Sequence, residues 1–278
     1  MKKSSMKINI DKFGEKNITL YEVEGTKELF LACFSHQGEE YSAIIDKDGR
    51  ALTSFSTQPF QEVFTTKDKE NYGFTRYDTN QSNYESFHLQ KDQSGIYQVK
   101  TYVQSDDNVT SRLVNTIKDE FWFLESTSNG ITEIALYDVK QAKLITPYFT
   151  DISFEEEEGR VLAFVEKDIC VIDDGEVIPL AGLLSYIDWD GNFVAPIYIP
   201  EKDEQYPSLL FNHSKGFSRF YAAVNELTKR LVKEYYEKDE HIDEVLTDMF
   251  NNLYTEEEVN PKRQAKILEF RKKDQSND

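Results

Sequence analysis

Cysteine, proline and glycine are all scarce: the 278 residues hold 2 Cys, 7 Pro and 12 Gly. Cys33 and Cys170 lie far apart among apolar neighbours. They make no disulfide framework and read as buried free thiols of a reducing compartment. His36 is close to Cys33 in sequence, but an odd separation on a strand puts the two side chains on opposite faces, so no thiol–imidazole pair is expected. The few prolines and glycines exclude long flexible linkers. The histidines, His36, His88, His213 and His241, are scattered, with no pair at metal-ligand spacing. No nucleophile elbow, dinucleotide fingerprint or P-loop pattern occurs, so neither metal nor cofactor is expected, and no catalytic residue stands out. No apolar run approaches bilayer length, and the basic start at Met1–Met6 leads into no apolar segment. A cytoplasmic location away from membranes is therefore expected.

Acid is plentiful. Asp and Glu number 51 against 32 Lys and Arg, a net charge of −19. The excess is uneven: residues 151–204 hold 15 acids against Arg160, Lys167 and Lys202. Such a surface repels phosphate backbones, which argues against nucleic acid and for a protein partner with a basic surface. The 16 Tyr and 19 Phe suit half-buried strands and argue against disorder.

The stretch Tyr186-Ile187-Asp188-Trp189-Asp190-Gly191-Asn192-Phe193-Val194-Ala195-Pro196-Ile197-Tyr198 reads as strand, tight turn, strand. Asp and Gly supply the turn, and alternating apolar residues give each strand one face to bury. Echoes occur at Ile45-Asp46-Lys47-Asp48-Gly49 and Ile172-Asp173-Asp174-Gly175. Residues 45–63 also match residues 137–152, pairing Asp46 with Asp138, Leu52 with Leu144 and Val63 with Ile152. That offset is about twice the ~40–50-residue length of a four-stranded repeat. An intermediate copy is therefore expected at residues 84–124, with Lys91–Gly95 as its turn and Phe121–Leu124 as its last strand. The two Asp-rich loops lack the third ligand before Gly and the Glu at position twelve that a calcium loop needs, so they read as hairpins. The pattern of aromatic-Ile-Asp-x-Asp-Gly, apolar run and Pro-x-Tyr resembles the WG (KWG) β-repeats of bacterial proteins over roughly residues 39–200, a span set by repeat length. The Trp-Gly dipeptide that names that family is not in the chain. The resemblance implies a repetitive β architecture and interaction roles, and brings no catalytic residues.

The expected fold is mainly β, built of antiparallel repeat hairpins in a propeller-like or stacked arrangement, with a C-terminal α-helical region. The β-repeat domain would span residues 1–204 and the helical region residues 205–278. Phe217, Phe220, Val224, Leu227, Leu231 and Tyr235 form one helical stripe. A second helix is expected at about residues 239–253, and a last one opening at Asn260-Pro261 and ending in Arg271-Lys272-Lys273.

The composition points to a non-enzymatic protein–protein interaction protein of the immunity or anti-defence inhibitor kind, found in bacteria or phage. The alternatives are a hydrolase with an unrecognised carboxylate site and a structural or virion assembly component. Partner-binding candidates are Trp189 with its flanking Asp188 and Asp190, the run Glu155, Glu156, Glu157 and Glu158, and Phe217 and Phe220 on the stripe. An exposed aromatic flanked by charge is a fair anchor for an interface; the alternative for Trp189 is that it folds back over a neighbouring repeat. The stripe could dock on the chain's own core, join two copies in a homo-oligomer, or bind a partner in a groove.

Overall fold

The computed structural model describes residues 3–78, 83–105, 109–116, 118–157, 160–173, 176–206, 216–236 and 269–270. Four antiparallel sheets follow one another along the chain. The first contains β1 (Lys3–Ile10), β2 (Gly14–Glu22), β3 (Leu29–His36) and β4 (Glu39–Asp46). The second contains β5 (Phe60–Thr65), β6 (Asn71–Asp78), β7 (Asn83–Lys91) and β8 (Tyr97–Gln104). The third contains β9 (Val109–Asn115), β10 (Phe121–Ser128), β11 (Ile131–Asp138) and the short β12 (Lys143–Leu144). The fourth runs β13 (Asp151–Glu157), β14 (Arg160–Asp173), β15 (Glu176–Ile187), β16 (Ile197–Ile199) and β17 (Glu204–Tyr206), with a 3-10 turn at Pro200–Lys202. Among the described residues one α-helix, α1 (Gly216–Tyr235), follows. The chain is thus mainly antiparallel β with a helix near the C-terminus, as its alternating pattern and later helical stripe require.

The repeat has a chemical cause. Asp46, Asp92, Asp138 and Asp188 end or directly follow the third or fourth strand of each sheet, 46, 46 and 50 residues apart. Asp46 Oδ1 accepts the amides of Asp48 at 3.0 Å and Arg50 at 2.9 Å. Asp92 Oδ1 accepts those of Ser94 and Ile96, and Asp188 Oδ1 those of Asp190 and Asn192. Each turn then needs a left-handed residue three places after the Asp, and Gly49, Gly95 and Gly191 supply it with φ of 85°, 82° and 78°. The Asp138 turn is one residue longer, and Ala142 takes the positive φ. The intermediate copy is therefore present, with its turn where the sequence puts it. Its last strand is not Phe121–Leu124, which begins β10 of the next sheet; β8 closes the second sheet instead. After the first and third turns the chain returns to the strand it left. Thr53 Oγ1 accepts the Ile44 amide, and Thr146 Oγ1 accepts the Leu136 amide. Thr53 thus matches Thr146, which shifts the sequence pairing of Leu52 by one residue, from Leu144 to Ile145.

Contacts divide the chain into two compact units, residues 1–124 with 138–143, and residues 125–137 with 144–278. Residue 204, after which the sequence changes from strand to helical period, falls inside the second unit. In the first unit, Val23, Leu29, Ile44, Tyr72, Phe74, Phe87, Leu89 and Tyr97 form one core cluster, and Ile18, Leu20, Ala32, Phe34 and Ile45 another. In the second unit, α1 buries Phe220, Val224, Leu227 and Leu231, so the predicted stripe closes the unit's own core. The Phe220 ring lies 5.5 Å from that of Phe149 and 5.8 Å from that of Phe193.

The helices expected at residues 239–253 and from Asn260 lie outside the described residues, except at Glu269–Phe270. There the chain forms a short strand, β18, paired in parallel with Ile172 and Asp173. The edge of β14 is open at that point because β13 pairs with it only from Arg160 to Glu166. Cys33 and Cys170 are half-buried rather than fully buried, and burial first, then nearby acid, pushes both thiols up, away from the reactive thiolate.

Candidate protein-binding face

The fourth sheet has two chemically distinct faces. Register places Asp151 opposite Glu166, Glu166 opposite Leu184, and Asp168 opposite Gly182. Because side chains alternate along a strand, Asp151, Ser153 and Glu155 of β13 share a face with Phe164, Glu166 and Asp168 of β14 and with Gly182, Leu184 and Tyr186 of β15. The other face holds Ile152, Ala163, Val165, Ile169, Ala181, Leu183 and Ile187, all buried. The sheet therefore turns an apolar face inward and an acidic, aromatic face outward.

Three carboxylates converge on that outer face. A Cβ added at Gly182 would stand 3.7 Å from Asp168 Oδ1, Glu166 Oε1 and Glu201 Oε1 alike. The Gly182 amide donates to Glu201 Oε1 at 3.3 Å, which draws the 3-10 turn across the strand. Glycine leaves a notch there, floored by backbone and rimmed by acid. Burial first, then Asp168, Asp151 and Glu201, holds the Glu166 carboxyl above its ordinary range. Burial also raises Asp168, helped by Glu201 and Glu133 and opposed by Lys167. Lys167 projects from the opposite face and is ion-paired with Glu133. Burial, with like charge beside it and only Lys167 opposing, is why both carboxyls resist ionising. Among the described residues no group of three or more His, Cys, Asp or Glu is arranged to hold a metal ion.

The residues singled out from sequence fall around this face in different roles. Glu155 and Glu156 are exposed, and the Tyr186 hydroxyl donates to Glu155 Oε2 at 2.9 Å. Glu157 ends β13; Glu158 lies outside the described residues. Asp188 works inside its turn, with Oδ2 accepting from Asn192 Nδ2 at 3.1 Å. Asp190 is exposed. Trp189 folds back over its own sheet: its ring stacks on Phe154 at 4.7 Å and its Nε1 donates to Val161 O at 3.1 Å. It braces the turn against the β13–β14 hairpin. Phe220 is 1% exposed and so belongs to the core rather than to a partner surface, whereas Phe217 lies in the first turn of α1.

Sequence reasoning passed over Glu166, Asp168, Gly182 and Glu201. The alternation Glu166-Lys167-Asp168 within an apolar strand was the available signal, since it puts two acids on one face and the cation on the other. No helix among the described residues is long and apolar enough to cross a membrane. No protein family, curated protein or solved structure matches the chain.

Proposed function

We propose that this is a non-enzymatic interaction protein whose fourth sheet receives a basic segment of another protein on its outer face. One observation carries the reading: Glu166, Asp168 and Glu201 crowd around a bare glycine, the Glu166 and Asp168 carboxyls are raised by burial first and then by neighbouring acid, and no described cation is ion-paired to the three. A partner's Lys or Arg entering the notch relieves that repulsion and brings charge-assisted hydrogen bonds. Phe164 and Tyr186, edge-to-face at 5.4 Å, supply the aromatic part of the same surface.

The test is calorimetric titration with an Arg- and Lys-rich decapeptide at low and physiological salt. The triple variant Glu166→Gln, Asp168→Asn, Glu201→Gln is compared with an equal loss of charge on the first sheet, Glu39→Gln, Glu40→Gln, Asp48→Asn. Affinity is expected to fall by roughly tenfold or more in the former and less than about twofold in the latter. Equal losses in both would sink the reading, because they would reduce it to net charge.

The raised Glu166 carboxyl also favours a second reading, a carboxylate hydrolase with Glu166 as general acid. A hydrolytic activity lost in Glu166→Gln while peptide affinity stays unchanged would select it.

A further inference from the structure

The first unit holds a surface of different chemistry. A groove of about 880 Å³ opens where β5 faces the loop between β2 and β3. Its floor is core: Ile44, Tyr72 and Phe74 are each 1% exposed or less. One wall is β5, with Phe60 and Val63; the other is the turn from Glu22 to Lys27.

Two features make this groove incomplete. The first is the strand beside it. β5 is an edge strand of the second sheet, hydrogen-bonded only to β6 among the described strands. Alternate residues of an edge strand point both N–H and C=O away from their neighbour. A bulge near Gln61 interrupts pairing, and from Glu62 to Thr65 the register is regular. The second feature is Val63: this β-branched residue pairs with the fully buried Phe74 yet is itself 51% exposed. Ile152, its counterpart in the sequence repeat, is 4% exposed. One repeat covers this position and the other leaves it open.

We infer that the groove takes an extended peptide segment of a partner protein, which adds to the β5 edge as a further strand and lowers apolar side chains at alternate positions onto Phe60, Val63 and the floor. The chemistry is specific to that occupant. Only a backbone in extended conformation satisfies a row of outward amides and carbonyls, and period-two side chains match an apolar floor on one side. The turn that forms the far wall is fixed by the Tyr72 hydroxyl, which donates to Glu24 O at 3.3 Å, and by Gly25 at φ 85°, where a Cβ would come within 2.8 Å of Lys69 Cε. The groove is thus preformed, which limits the ordering cost to the peptide.

The experiment is selection of a phage-displayed random decapeptide library on the full-length protein, followed by affinity measurement on the enriched peptides. Enriched sequences are expected to alternate apolar and polar residues. Val63→Lys should weaken them by roughly tenfold or more, while Val99→Lys, on the opposite edge strand β8, should change affinity less than about twofold. Both valines are substantially exposed, so neither change threatens the fold. N-methylation of alternate peptide amides should abolish binding in one register and spare it in the other. Failure to enrich any peptide, or binding indifferent to Val63→Lys, overturns the inference. Binding that depends on Val63 but tolerates N-methylation at every position also overturns it, because an apolar pocket without strand addition would explain it.

Discussion

The second and fourth sheets handle buried and half-buried charge in opposite ways. In the second, the Arg76 side chain is 2% exposed yet fully answered: Nε donates to Glu85 Oε2, Nη1 to Ser54 O at 3.1 Å and Nη2 to Ser54 Oγ at 2.7 Å. Its guanidinium also lies over the rings of Phe60 and Phe87 at 5.3 and 5.4 Å. In the fourth, Glu166 and Asp168 are partly withdrawn from water with other acids for company. A satisfied buried pair holds a core in one arrangement. A crowd of like charges at a surface costs stability and persists where something else gains from it. The contrast teaches where to look for function, because the unanswered charge is the one a partner can answer.

The largest effect should come from breaking the answered pair. Arg76→Met leaves half-buried Glu85 without its cation and the Ser54 acceptors without their donor, and chemical denaturation should show a loss of roughly 2–4 kcal/mol. The first and fourth copies of the Asp turn should then separate. Gly191→Ala drives a Cβ to 2.1 Å from Ile145 O, a backbone atom, whereas Gly49→Ala meets side chains alone, the flexible end of Met6 at 3.0 Å and Ile8 Cγ2 at 3.4 Å. Both suffer the left-handed penalty of about 1–2 kcal/mol, and Gly191→Ala should cost clearly more, read as the difference in denaturation midpoint.

Acid should divide the sheets again. His88 is fully buried, bonded to Asn71 Oδ1 at 3.0 Å, and burial, assisted by Lys100, pushes it down to about 4. Its unfolded value is near 6.5, so the unfolded chain binds a proton that the folded one refuses. The stability it supports is complete above about 6.5 and lost as pH falls towards 4, on the order of 3 kcal/mol in all. A His88 imidazole titration near 4 by NMR checks this. Glu166 has the opposite sign: its raised carboxyl weakens the fold as pH rises through its folded value, because the folded state disfavours the charge. The smallest effect follows. Glu166→Gln should stabilise by a few tenths of a kcal/mol after solvent screening, seen as a slightly higher Tm. A loss of stability there would erase the distinction between the two sheets.

The sequence legibly carried the Asp-Gly turns, the alternating strands, the repeat length and the α1 stripe. Each is decided within a few residues: an Asp carboxylate reaches the amides two and four places on, and Gly alone takes the left-handed step without strain. The acid excess of residues 151–204 was legible too, but not its focus. Glu166, Asp168 and Glu201 meet at Gly182 only because β14 and β15 pair in one register and the Pro200–Lys202 turn is drawn back across them. Trp189 shows the same limit, since its place on Phe154 depends on a hairpin some thirty residues away. So does Val63, which reads like Ile152 in the repeat and is left uncovered. Local turn chemistry made the repeat. Register and long-range packing, which no short window of residues contains, decided which acids converge and which edge no described strand covers.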